Sequence, residues 1–473
     1  MTNNFFKTIF FIAATSLQIN LLSAQTYTMP SEELLHEGTW LQWPHQYEYG
    51  VTYRNRLDAT WVAMTQALVV GEKVHIIAYN AAEQTRITNL LTTASVPMIN
   101  IDFFIFKTND VWIRDNGPIF VRDNNGNLVI EDWGFNGWGG DYNFNHCNPI
   151  PTSLASAIGM PLVNLNSVMI NEGGAVELDG NGVLLATRSS ILSQTNPPGI
   201  FSIRNPAMTQ TQAENILTQY LDVTKFIWLD GFYSTDDITE AHIDGFARFA
   251  NGNTIVTMNN ADLTYWGLSS IDITTLFNAT DVNNTAYSFT ILPLTQNDVT
   301  TAYGLNLGYK GSYVNYYVGN TAVLVPNYND PNDAAANSII QTLYPTRTVI
   351  GIDCRNLYEN GGMVHCVTQQ QPVASTNTGL NDYLNGELKV GQNFPNPFNQ
   401  TTTINLSLST TANVQIIIYN SLGQIVSKST NSNYSTGNHS LTISADNLQN
   451  GIYTYMVTID NRNSLSGRMV VSK

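Results

Sequence analysis

Cysteine is nearly absent: Cys147, Cys354 and Cys366 are the only three in 473 residues. So sparse and odd a set excludes a disulfide framework, so a packed core must hold the fold, and at least one thiol stays free. Cys147 and Cys354 could pair, though nothing in the sequence requires it. Charge is scarce too, at 12% of residues, and basic charge scarcest: 20 Lys and Arg stand against 36 Asp and Glu, a formal net charge of −16. That argues against nucleic acid as a partner, because its binding needs a clustered basic surface. An acidic field suits a cationic substrate, or simply keeps the surface soluble. No HExxH, no CxxC and no third His at ligand spacing support a metal, and no Gly-x-Ser-x-Gly elbow or Walker loop appears.

Long apolar runs are missing beyond the N-terminus. Lys7 precedes the run Ile9 to Leu22, which is interrupted by Thr15, Gln18 and Asn20 and is too short for a membrane span. It reads as a secretory signal over residues 1–24, with cleavage near Ala24-Gln25. The mature chain is expected to be exported and soluble, with no integral membrane segment.

What the sequence does contain is periodic. Four hairpin signatures recur at intervals of roughly 55–70 residues: Ile119–Ile130, Ala175–Thr187, Gly245–Met258 and Tyr313–Val325. Each turns at an Asn or Asp beside Gly. Helical spacing over Tyr53–Val70 precedes a strand at Val74–Tyr79. Thr209–Leu221 precedes Lys225–Leu229, and Asn332–Leu343 precedes Arg347–Ile352. The unit hairpin, helix, strand, repeated around a ring, predicts a closed α/β propeller. Asp115 and Glu172 lie just before the first two hairpins, His242 and Asp244 open the third, and Asn315 falls in the first strand of the fourth. Residues at equivalent points of successive repeats converge near the axis, where a pocket forms. After Pro372 a Ser/Thr/Asn/Gly-rich linker is expected over 373–388. A small β-sandwich is expected over 389–473, from strands at Thr402–Leu408, Val414–Asn420, His439–Ile443, Ile452–Ile459 and Ser466–Val471.

Three segments concentrate reactive groups. Gly361-Gly362-Met363-Val364-His365-Cys366 sets a thiol behind a glycine pair, as a nucleophile would stand or as a buried, inert cysteine would. Asp110-Val111-Trp112-Ile113-Arg114-Asp115 puts carboxylates beside an indole, a receptor for a planar cation or the seat of an internal ion pair from Arg114 to Asp110 or Asp115. His242-Ile243-Asp244 reads as two side chains on one face of a strand, a proton shuttle or a structural pair.

Together with Met29-Pro30-Ser31-Glu32, the run His36–Pro44, Trp112–Pro118, Phe135-Asn136-Gly137-Trp138-Gly139-Gly140, Glu172-Gly173-Gly174 and Ser312–Asn315, these motifs resemble the agmatine deiminase and Porphyromonas-type peptidylarginine deiminase family. The resemblance covers about residues 29–372. It implies a five-bladed pseudo-symmetric α/β propeller of ββαβ repeats over 25–372, with the fifth blade split between the ends of the domain. It also implies Cys366 as nucleophile, His242 as general acid/base, and Asp115 and Asp244 as the guanidinium clamp. Trp112, Asn315, Glu172 and Gly362 line the substrate pocket, and no metal or organic cofactor is implied. The implied reaction turns the guanidinium of agmatine or of peptide arginine into a ureido group plus ammonia, through an amidino-thioether on Cys366.

Ala241 and Met363 depart from the family pattern, each standing where Gly is common. The loop Asp141–Pro149 holds no arginine, whereas the peptidylarginine enzymes hold a C-terminal carboxylate with arginines there. At the C-terminus, Asn393-Phe394-Pro395-Asn396-Pro397-Phe398 and Arg468–Lys473 resemble the type A sorting domain of type IX secretion, which implies that machinery as a partner and a secreted or cell-surface location. The rivals to a deiminase are a non-catalytic guanidinium-binding or adhesion protein on the same propeller, and amidino transfer to an amine in place of water.

Overall fold

The computed structural model describes residues 26–192, 204–234, 237–374 and most of 388–473. The expected signal and nearly all of the expected linker lie outside them. Five small mixed sheets form the larger unit. In blade one, Ile119–Arg122 pairs antiparallel with Leu128–Gly134, which pairs in parallel with Leu162–Ile170. The pattern repeats in blade two (Val176–Leu178, Val183–Thr187, Lys225–Leu229), blade three (Ala247–Ala250, Thr254–Thr257, Ser288–Ile291) and blade four (Tyr317–Val318, Ala322–Asn327, Thr348–Asp353). Blade five is indeed assembled from both ends. Gln369–Pro372 lies antiparallel to His36–Gln42, which runs parallel to Lys73–Ala78, and that strand to Ile101–Ile105.

Helices span the second and third strands of each unit, and local chemistry sets their ends. Thr209 makes a full capping box with Gln212, and the helix Gln210–Leu221 buries Ala213, Leu217 and Leu221 at fourfold spacing against its blade. The helix expected over Tyr53–Val70 runs from Gln46 to Leu68, with a break at Gly50. Covered on both faces, a strand such as Val183–Thr187 is buried throughout. Trp40, Trp61, Tyr313 and Tyr316 are wholly buried in the propeller. Cys147 and Cys354 are buried and unpaired. Among the described residues no helix is long and apolar enough to cross a membrane.

The C-terminal region has its own apolar cluster, including Phe398, Ile404, Ile416, Val457 and Met469, contributed by two all-β sheets. All five expected strands are present there. Three short ones, Leu388–Val390, Ile425–Lys428 and Ser432–Tyr434, were not anticipated.

Two local expectations are corrected. His242-Ile243-Asp244 is no strand: His242 precedes a single 3-10 turn, Ile243–Gly245. Glu240 and Ala241 stand just before it in the left-handed region, at φ +55 and +67, so the chain coils before it enters the blade. Asn315 lies before Tyr317–Val318 rather than in it. Both segments cross the axis, where five chain passages meet and the backbone must bend.

Candidate active site

Each blade sends the few residues ahead of its first strand to the axis. Asp115 comes from the turn Ile113–Asn116, Glu172 and Gly174 from the entry to blade two, and His242 and Asp244 from that to blade three. Asn315 precedes blade four and Cys366 blade five. The repeat phase thus brings the sequence-predicted residues to one place.

Gly174 marks the point of convergence. A Cβ there would lie 2.7 Å from His242 Nδ1, 2.9 Å from Asp115 Oδ1 and 3.1 Å from Asp244 Oδ2. Only glycine leaves that space, and its N–H donates to Asp115 Oδ1 at 3.1 Å. Trp138 Nε1 donates to the other Asp115 oxygen at 3.0 Å. His242 stands between two carboxylates, with Nε2 2.7 Å from Glu172 Oε2 and Nδ1 3.6 Å from Asp115 Oδ1. Arg204 in turn pairs with Glu172 at 3.1 Å and with Glu240.

Cys366 is half-buried, the one cysteine of the three that solvent reaches. Its Sγ lies 3.5 Å from Asn315 Oδ1 and 3.9 Å from Asp244 Oδ2. Asn315 ties the two segments together: Oδ1 accepts the His365 N–H at 3.0 Å, and Nδ2 donates to the Asp244 carbonyl at 3.2 Å. Gly362 packs flat on the indole of Trp112, whose ring a Cβ would meet at 2.2 Å.

The charges are unevenly held. Burial pushes the Asp115 carboxyl up to about 6, against the pull of His242 and with the help of Glu172 and Asp244. Burial also works against protonated His242, but Asp115 and Glu172 outweigh it and raise its pKa to about 9. Burial, then the charges of Asp244 and Asp115, push the Cys366 thiol well up. Asp244 goes the other way: burial is overcome by the His365 hydrogen bond and charge, and the carboxyl is held low. A cation between Asp115 and Asp244 would cancel the charges that disfavour the thiolate.

A cleft of about 710 Å³ is walled by Trp112, Trp138 and Gly361; Asp115, His242, Asp244 and Cys366 do not line it, and it reaches them through Trp138, which holds Asp115, and Trp112, which packs on Gly362. Glu48, Asp110, Asp141 and Glu359 line it, and among the described residues no lysine or arginine does. Asp141 to Asn145, from the arginine-free loop, form one side. Arg114 makes neither of the ion pairs considered from sequence; its Nη2 reaches Glu32 Oε2 at 3.3 Å instead. Asp110 accepts from the Trp112 N–H and the Asn116 amide, and burial raises its carboxyl to about 7.

Sequence reasoning assigned no role to four residues that contact the site: Glu32, Trp138, Arg204 and His365. Glu32, Trp138 and His365 stand inside the motifs that carry the family resemblance, the one signal that could have pointed to them. Arg204 had none.

Residues 28–372 match the family model described as Porphyromonas-type peptidyl-arginine deiminase, and residues 392–472 match a secretion system C-terminal sorting domain. An agmatine deiminase of Pseudomonas syringae is 29% identical over 374 residues, covering 74% of this chain and 96% of that relative. The solved agmatine deiminase of Enterococcus faecalis superposes with a TM-score of 0.61 at 25% identity, covering 73% of this chain and 96% of the other. The C. jejuni agmatine deiminase shares the fold, at 23% identity and a TM-score of 0.59 over 74% of this chain and 97% of its own. The ring of five small mixed sheets thus has its counterpart in known structures: the chain belongs to the Porphyromonas-type peptidyl-arginine deiminase family, guanidino-group hydrolases acting on C–N bonds of amidines, and it carries a sorting domain for secretion.

Proposed function

We propose that this protein deiminates a guanidine bearing a second positive charge, with agmatine as the leading substrate. The observation that carries the reaction is the convergence of Asp115, His242 and Asp244 on Gly174, beside the one accessible thiol, Cys366. Asp115 and Asp244 hold the guanidinium flat, and its charge lowers the pKa of the Cys366 thiol, which releases its proton to solvent, and the thiolate attacks the central carbon. The new S–C bond makes a tetrahedral centre. His242, protonated at neutral pH by its two carboxylate neighbours, gives its proton to the departing nitrogen, and ammonia leaves as the C–N bond breaks. Neutral His242 then takes a proton from water, whose oxygen adds to the amidino-thioether carbon. The C–S bond breaks, Cys366 leaves as the thiolate, the second water proton passes to solvent, and the product is a neutral ureido group. Glu172 keeps the ring of His242 oriented.

Support for the second charge comes from the cleft wall, where Glu48, Asp141 and Glu359 meet no lining cation. A second reading, arginine within a peptide, draws on the sorting domain, since an exported enzyme meets proteins. The test is release of ammonia and ureido product by the purified protein from agmatine, free arginine and an internal-arginine peptide in parallel. Agmatine is expected to be turned over best, with all turnover lost in Cys366→Ala. Turnover of the peptide alone would shift the substrate to proteins. No ammonia from any guanidine, with the protein folded, would bring the non-catalytic binding reading forward, and an amidino group passed to an added amine would mean transfer.

A further inference from the structure

Immediately before the thiol, His365 is buried and bridges two carboxylates: Nδ1 lies 2.7 Å from Asp244 Oδ2 and Nε2 lies 2.8 Å from Glu32 Oε2. An ionised carboxylate only accepts, so a ring held between two of them donates from both nitrogens, as an imidazolium does. Both partners fit that role. Glu32 is held well below the usual carboxylate range because Arg248, His365 and Arg114 overcome its burial. Its Oε2 faces Arg248 at 3.0 Å and Arg114 at 3.3 Å, and its Oε1 accepts the Val318 N–H at 3.0 Å. Glu32 is thereby a fixed post at the foot of the site.

We infer that His365 and Glu32 are a positioning pair, in which Glu32 anchors His365 and His365 fixes Asp244 as the charged arm of the guanidinium clamp. The contrast with Asp115 makes the case. Asp115 receives two neutral N–H donors, from Trp138 and Gly174, and faces His242, which is shared with Glu172; its carboxyl drifts up to about 6. Asp244 receives a charge-assisted bond from His365 and is held low. The remaining groups around Asp244 are Asp115, His242, Arg248 and the Cys366 thiol, and those near His365 are Tyr317, Glu177 and the two arginines on Glu32. Because Asp244 Oδ2 both accepts from His365 and faces Cys366 Sγ, a carboxylate that swings loses its place beside the thiol as well.

The inference rests on the deiminase reading only for its kinetic test, so the experiment carries a second readout. His365→Asn keeps a donor near the Nδ1 position but removes the charge, and Glu32→Gln keeps the shape of the anchor. Asp115, at about 6, sets the acid limb of kcat/KM, so Asp244, held low, is read through binding instead. In His365→Asn, KM at pH 7 should rise about tenfold, with kcat changing less than about threefold. Glu32→Gln should raise KM in the same direction by less, and it decides the matter if His365→Asn fails to fold. Independently of turnover, alkylation of Cys366 by chloroacetamidine, a cationic amidine, is compared with alkylation by neutral chloroacetamide. The wild-type preference for the amidine should fall about tenfold in His365→Asn. Folded variants with unchanged KM and alkylation preference would overturn the inference. A merely structural His365 would lower thermal stability and leave the preference intact, which also overturns it. If the wild type releases no ammonia, the deiminase reading fails while the alkylation ratio still decides the positioning role.

Discussion

Ala241 is held at φ +67 one residue before His242, with its N–H on Asp237 Oδ2 at 2.9 Å and its carbonyl accepting from Thr187 Oγ1 at 2.9 Å. A side chain in the left-handed region crowds its own carbonyl at a cost of about 1 kcal/mol, which glycine avoids. The family's common Gly at this place thus has a conformational reason, and the departure noted in the sequence is a matter of backbone strain. Ala241→Gly is expected to raise stability by about 0.5 kcal/mol or less, after the larger chain entropy glycine loses on folding. Thermal or urea unfolding of the two proteins measures it, and a loss of stability would show that the methyl packs better than the strain costs. Met363, the other departure, is buried among core residues and faces no such backbone demand.

At the scale of elements, the turn Gly137–Gly140 does for Asp115 what His365 does for Asp244, with a weaker hand. Trp138 itself sits at φ +55, its indole edge-on to Phe135 and Tyr142, and Nε1 directed at Asp115. Trp138→Phe keeps most of the packing and removes the donor. A hydrogen bond to a charged group is worth roughly 1.5–3 kcal/mol, so kcat/KM at neutral pH should fall at least about tenfold. The acid limb should also move up, because Asp115 loses a bond that favours its ionised form. A profile unchanged in height and position would leave Asp115 to Gly174 alone. The split fifth blade and the place of Cys366 came from the family resemblance alone, whereas four hairpins and the convergence of Asp115, Glu172, His242, Asp244 and Asn315 could be read in advance, because turn residues and repeat phase are local or periodic signals. The turn at Ile243–Gly245 could not, since an H-x-D spacing fits a strand and a bend equally well. Nor could the partner of His365, because Glu32 lies 333 residues away and meets it only once both ends of the chain close blade five.

Over the whole molecule, acidic charge and the single cleft wall act in one direction. The chain carries a formal −16, and the cleft walled by Trp112 and Trp138 adds Glu48, Asp141 and Glu359 with no lining cation among the described residues. Charges beyond about 10 Å are screened at 0.1 M salt, while those on the wall act at close range on whatever tail the guanidine carries. A dicationic guanidine should therefore be favoured over one with an uncharged tail, and the advantage should shrink as salt rises. Between about 0.05 and 0.5 M NaCl, KM for agmatine is expected to climb several-fold, while KM for butylguanidine, of the same reach but without the ammonium, should change less than about twofold. Asp141→Asn should flatten the agmatine slope without altering that of butylguanidine, since Asp141 lies in the cleft wall and makes no contact with the reacting groups. Equal slopes for the two guanidines would mean that the wall does not read the tail. The acidic surface would then be left as a device for solubility, and recognition would lie with the clamp at the axis alone.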